Sequence, residues 1–138
     1  MIKMKIDGIE CVFYENNLSN DNLVLIKYGS SKITTKEIKN NIDYVISIIH
    51  NLTEIGAIFD ESLEKYTRAL SFFNVIKALF NKKRTTHPSV EDAKIAIDVV
   101  KEISLMELKD PMQRAAIKSV SLFTKLLLDM EEANKRVD

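Results

Sequence analysis

The chain has 138 residues, the length of one ordinary domain, and 46% of them are hydrophobic, which is enough to form a core. Its 20 Lys and Arg residues balance its 20 Asp and Glu residues, so binding to nucleic acid or an anionic membrane would need a local patch. The single cysteine, Cys11, excludes an intramolecular disulfide and a cysteine-based metal site and predicts a reducing, cytoplasmic location. No apolar run approaches the roughly 18 residues of a membrane span, so we expect no membrane partner.

The first thirty residues have the pattern of a small sheet. Apolar and polar residues alternate over residues 2–6, as in a half-buried strand. Asp7 and Gly8 then separate this run from a second β-rich run over residues 9–14, which predicts a hairpin because both residues tolerate positive φ. A third run covers residues 23–28. We therefore predict a three-stranded antiparallel meander before residue 30, with one face packed on helices.

Four helices are predicted after the sheet. The first begins at a capping box formed by Thr34 and Glu37. Ser89 is the N-cap candidate of the third helix, and Pro111 stands at the first position of the fourth, where its missing N–H costs nothing. The predicted helices cover residues 35–55, 60–81, 90–108 and 111–133.

The predicted fold class is therefore mainly α with a small N-terminal antiparallel β-meander, an α+β arrangement built around a four-helix bundle. Short connections between the helices favour antiparallel neighbours. We expect one domain over residues 1–138, with the sheet in residues 1–30 and the bundle in residues 34–134.

The second predicted helix is apolar over a wider arc than three neighbouring helices would cover. Phe72, Val75 and Leu79 widen its apolar stripe and are the candidate interface residues. Leu122 and Leu126 lie outside the main stripe of the fourth helix. An apolar face that the rest of the domain does not cover is typical of an interface. We therefore predict a protein partner or self-association, with a homodimer as the first choice.

Residues with catalytic or ligand-binding chemistry are few. His50 and Glu54 lie four residues apart on the first helix, but two ligands do not make a metal site, and a surface pair is the simpler interpretation. The three glycines, Gly8, Gly29 and Gly56, do not form a phosphate-binding loop. We predict no catalytic residue, no metal site and no cofactor.

A basic cluster, Lys82, Lys83 and Arg84, follows the second predicted helix. In a loop these side chains could contact phosphates, so they are the candidate nucleic-acid residues. The alternative is a basic helix end that faces the negative pole of the helix dipole, and the absence of interleaved aromatic residues favours that alternative.

Two segments resemble the small helical lid of AAA+ ATPases, particularly the lids of MCM helicases and the MoxR group. They are Tyr66–Leu70 and Ser89–Ile97, within residues 60–103. The resemblance implies a helical lid in which Arg68 reaches the nucleotide of an ATPase; the alternative is an ion-pairing role for Arg68. The sequence has no phosphate-binding loop and no acidic strand motif for magnesium, so hydrolysis of ATP by this chain alone is not expected.

Three classes of function remain after these exclusions. The first is a non-enzymatic helical protein-interaction module, such as an adaptor, an accessory subunit or a small inhibitor of a larger machine. The second is a nucleic-acid-binding protein that uses the loop at residues 82–84. The third, an enzyme of unrecognised type, would require a polar pocket that the sequence does not reveal.

Overall fold

The computed structural model describes residues 1–54, 60–81, 89–106 and 109–136. The chain is mainly helical with an N-terminal antiparallel sheet, an α+β arrangement. The strands are β1 (Ile2–Ile6), β2 (Ile9–Phe13), β3 (Val24–Tyr28) and β4 (Ser31–Thr34), and the helices are α1 (Thr35–Glu54), α2 (Asp60–Phe80), α3 (Val90–Ser104) and α4 (Pro111–Arg136). These bounds confirm the order and approximate extent of the four predicted helices.

The sheet is a meander in which sequence neighbours pair in the order β1-β2-β3-β4. Ile6 pairs with Ile9 across a two-residue turn, where Asp7 has a φ of 51° and Gly8 a φ of 78°. Positive φ at both turn positions is the geometry of a type I′ hairpin, whose twist matches that of the strands. The predicted hairpin at Asp7 and Gly8 is confirmed.

The prediction of only three strands, all before residue 30, was wrong. β4 pairs with β3 through a second tight turn, and Gly29 adopts a φ of 60° there. The strand was missed because Ile33 and Thr34 also carry the start signal of a helix. Thr34 ends β4 and caps α1 as well, since its hydroxyl accepts a hydrogen bond from the Glu37 N–H at 3.2 Å.

The ends of α3 show one confirmed cap and one corrected boundary. The Ser89 hydroxyl accepts a hydrogen bond from the Asp92 N–H at 3.1 Å, as predicted for an N-cap. The helix ends at Ser104, four residues before its predicted end at 108. The Leu105 N–H is shared between the carbonyls of Lys101 and Glu102, at 3.2 Å each, which tightens the last turn and closes the helix.

One continuous core joins the sheet to the helices. The principal helix contacts are α1 with α2, α2 with α3, α3 with α4, and α4 with α1. The Phe123 ring of α4 lies 5.9 Å from the Phe13 ring of β2, edge to face, and 5.5 Å from the Phe80 ring of α2. Phe123 therefore connects the sheet to the helical layer.

The wide apolar arc of α2 is largely buried within the chain. Phe72 is 2% exposed and packs edge to face on Phe73, with ring centres 5.2 Å apart. Val75 and Leu79 are half-buried, and Leu79 packs against the core. Phe72 is therefore buried within the free chain, as are Leu122 and Leu126 of α4.

Candidate functional site

A cleft of about 650 Å³ opens between the inner face of the sheet and α4, with α3 at one end. Strand residues Ile6, Tyr28 and Ile33 form one wall. Val100, Ile117 and Leu122, all buried, lie on the helical side. Its volume falls in the range of protein ligand sites, about 300–1,000 Å³. The cleft thus combines an apolar floor with an opening to solvent.

The cleft is rich in positive charge. Arg114, Lys118 and Lys125 recur along α4 at intervals of four and seven residues, which places them on one side of the helix. Lys101 of α3 lies at the same cleft. With Lys32, five cationic residues in the described part of the chain line it against two carboxylates, those of Asp7 and Glu37. A locally positive site therefore exists in a chain of zero net charge.

A second feature borders this cleft. Three apolar residues near the α3–α4 connection are exposed: Leu105 at 85%, Met112 at 70% and Met106 at 40%. We call these three residues the turn patch. They lie in sequence between Ser104 and Arg114, which both line the cleft, so the patch and the cleft share one end of the helices. Exposed Met side chains adapt readily to a partner surface.

The cleft residues support binding chemistry better than catalysis. Four serines line the cleft, and among the described residues neither a histidine nor the cysteine lies there. Within the described ranges, no group of three His, Cys, Asp or Glu side chains could hold a metal ion. In the same ranges, no helix combines the length and apolarity needed to cross a bilayer.

A polar network holds α2 against α3 at a distance from the cleft. The Glu102 carboxylate accepts hydrogen bonds from Lys65 Nζ at 2.6 Å and from the Tyr66 hydroxyl at 2.9 Å. The Lys65 hydrogen bond is the main reason that the pKa of Glu102 lies below its usual range, and Tyr66 adds to the effect. Burial, followed by the Glu102 carboxylate, raises the pKa of Tyr66 to about 12. The network is structural.

This network predicts a pH-dependent contribution to stability. A carboxyl whose pKa is lowered by folding stabilises the native state above its unfolded pKa, about 4.3, and the contribution is lost as pH falls through the folded value. Glu102→Gln should therefore lower the free energy of unfolding at pH 7 by about 0.2–1 kcal/mol, a small value because both charged partners remain partly exposed. Denaturant titrations of both proteins at pH 7 and in acid measure the difference, which should shrink in acid. A difference that grew in acid would contradict the assignment.

The candidate site residues from the sequence that the structure describes do not line the cleft. Lys82, Lys83 and Arg84 lie outside the described residues. Arg68 pairs with Asp92, with 2.6 Å between the guanidinium nitrogen and the carboxylate oxygen. His50 and Glu54 form an exposed pair at 3.1 Å, as their spacing on the first helix predicted.

Sequence reasoning missed the cleft itself. The recurrence of Arg114, Lys118 and Lys125 on one side of the fourth helix was present in the sequence, but a basic helical face is usually a solvated surface. Only the position of the sheet, with Ile6 and Ile33 across from α4, shows that these cations border a cleft.

Comparisons with known proteins give this chain no relatives. No family model matches it, and neither a curated protein nor a solved structure matches it. Function must therefore be argued from the cleft and the turn patch.

Proposed function

We propose that this protein is a non-enzymatic protein-interaction module, built as a four-helix bundle with a small N-terminal sheet, that acts as an adaptor, an accessory subunit or a small inhibitor of a larger assembly. The observation that carries the proposal is the turn patch, in which Leu105 keeps 85% of its surface exposed. Large apolar side chains grouped at one place beside a cleft are typical of a protein-binding surface.

The turn patch supports an interface because it does little for the fold. The chain has enough buried apolar residues to form a continuous core without Leu105 and Met112. Covering such side chains with a partner contributes about 25 cal/mol for each Å² of apolar surface removed from water. The partner can be a second copy of the chain, as in the predicted homodimer, or another protein.

Site-specific photo-crosslinking tests this function in the native cells. A photoreactive phenylalanine analogue is placed at position 105 in one variant and at position 63 in a matched control, because Leu63 is also an exposed leucine but lies on α2, outside the turn patch. We expect protein adducts from position 105 that position 63 does not form. An adduct with a second copy would identify the partner as the chain itself, and sedimentation would then give the oligomer number. If position 105 gives no more protein adduct than position 63, the proposal fails.

Nucleic-acid binding is the second candidate function, and the excess of cations at the cleft is the observation that favours it. This candidate also includes the predicted basic cluster at residues 82–84, which lies outside the described residues. Against it stand the apolar floor of the cleft and the balanced charge of the whole chain.

Replacing Lys82, Lys83 and Arg84 together with alanine tests this second candidate. We expect thermal stability to change little, by the equivalent of less than about 0.5 kcal/mol, because charges in a polar loop contribute little to folding. We also expect no change in affinity for duplex DNA or RNA, because the wild type should show none that is specific. A salt-sensitive duplex affinity that the triple change abolishes would favour the nucleic-acid function instead.

The proposal also includes a cytoplasmic location. A cytoplasmic location agrees with Cys11, a free thiol that is buried in the core. Similarity to an AAA+ lid stays a prediction. It would require Arg68 to leave its ion pair with Asp92 before it could reach a nucleotide on another protein.

A further inference from the structure

We propose that the partner of this module presents an acidic amphipathic helix, and that the cleft binds it with apolar side chains on the floor and carboxylates beside Lys101, Lys118 and Lys125. The inference rests on the proposed interaction function and names the chemistry of the partner. It is carried by the combination of charge, apolar surface and length at one site.

Charge complementarity selects an acidic partner. Among the described residues, five cationic side chains and two carboxylates line the cleft, although the chain as a whole has zero net charge. The positive charge is therefore a property of this site and not a general property of the surface. Such a local excess speeds the encounter with an acidic partner and disfavours a basic one.

The floor of the cleft requires apolar groups as well. Ile117 and Val100 are buried at its base, and Ile6 and Ile33 of the sheet are half-buried opposite them. A purely polyanionic ligand would leave the exposed parts of Ile6 and Ile33 facing water. An amphipathic segment would cover them and, where it leaves the cleft, would reach Leu105 and Met112 of the turn patch.

The spacing of the cations fits a helix. Lys118 and Lys125 are seven residues apart on α4, which corresponds to about 10 Å along its axis. About two turns of a second helix cover that length, so carboxylates on successive turns can lie beside both lysines. The arrangement is that of a helix bound in a groove, with apolar anchors on one face and charged residues at the rim.

Synthetic helical peptides test the inference directly. The first carries Leu and Phe on one face and Glu and Asp on the other. A second replaces each acidic residue with Lys, and a third replaces each Leu and Phe with Ser. Fluorescence anisotropy of labelled peptides with the full chain should show binding of the first peptide alone, with an affinity that falls as salt rises.

Two double variants with the same net charge locate the site. Lys118→Glu with Lys125→Glu changes the cleft, whereas Lys3→Glu with Lys36→Glu changes two exposed lysines that do not line it. We expect the first pair to weaken binding of the acidic peptide at least about tenfold and the second pair to change it less than about twofold. Thermal melts check that both variants are folded.

Any of four results would overturn the inference. The first two are binding of the basic peptide, or of the Ser-substituted peptide, as tightly as the acidic amphipathic peptide. The third is an equal loss of affinity in the two double variants. The fourth is duplex DNA that binds the cleft more tightly than the acidic peptide, which would identify a polyanion site. If the peptides fail but position 105 still forms protein adducts, the interaction function stands and only the acidic partner is excluded.

Discussion

Replacing Phe123 with alanine should lower the free energy of unfolding by about 3–5 kcal/mol. Its ring is 1% exposed, lies edge to face with Phe13 of the sheet and packs on Phe80 of α2. The substitution removes aromatic contacts on both sides and leaves a cavity where the sheet meets the helices. Because native domains are stable by only about 5–15 kcal/mol, a large part of the total stability depends on this residue.

Urea denaturation followed by circular dichroism measures this effect. Leu105→Ala is the matched control, because it also removes a large apolar side chain, but from a position that is almost fully exposed. The control should change the free energy of unfolding by less than about 0.5 kcal/mol. A loss below about 1 kcal/mol for Phe123→Ala would show that the sheet does not pack on α4 as described.

The second large effect is expected on α2. Phe73→Ala should also cost about 3–5 kcal/mol, because Phe73 is 1% exposed and contacts Phe72 edge to face. This substitution tests whether the broad apolar arc of α2 is buried in the core. The Phe73 ring is not accessible in the free chain.

Leu63→Ala provides the comparison within the same helix, since Leu63 is exposed near the start of α2. Thermal or denaturant unfolding should separate the two variants by at least about 2 kcal/mol. Similar, small losses in both would contradict the burial of the stripe that contains Phe73.

These two substitutions also separate stability from binding. Core residues such as Phe73 and Phe123 hold the helices that form the cleft, whereas Lys118 and Leu105 can be changed with little effect on folding. A loss of partner binding in variants of the second kind, with unchanged unfolding, would therefore report on the surface itself.

Local signals in the sequence determined the order and starts of most elements. Asp7 and Gly8 predicted the first hairpin because few residues adopt positive φ at low cost. Thr34 and Ser89 predicted helix starts because their hydroxyls satisfy N–H groups that have no partner in the first turn. Each of these signals acts within about four residues, and each is confirmed.

The tertiary structure determines which faces of those elements are buried and which strands pair. The apolar arc around Phe72 indicated an interface when α2 was considered alone, but its neighbours bury that residue. Strand β4 could not be predicted from the local sequence, because Thr34 both ends this strand and caps α1. Only the pairing of β4 with β3 reveals the strand. Burial and strand pairing depend on residues distant in sequence, so periodicity could not separate a buried face from an exposed one.

The cleft shows most clearly what the local sequence determines and what only tertiary packing determines. That Arg114, Lys118 and Lys125 share one side of a helix follows from the 3.6-residue repeat and could be read from the sequence. That this side borders a cleft opposite Ile6 and Ile33 depends on how the sheet packs against α4. A charged helical face acquires a binding role only when another element creates an apolar floor beside it, and that arrangement arises from packing rather than from any local pattern.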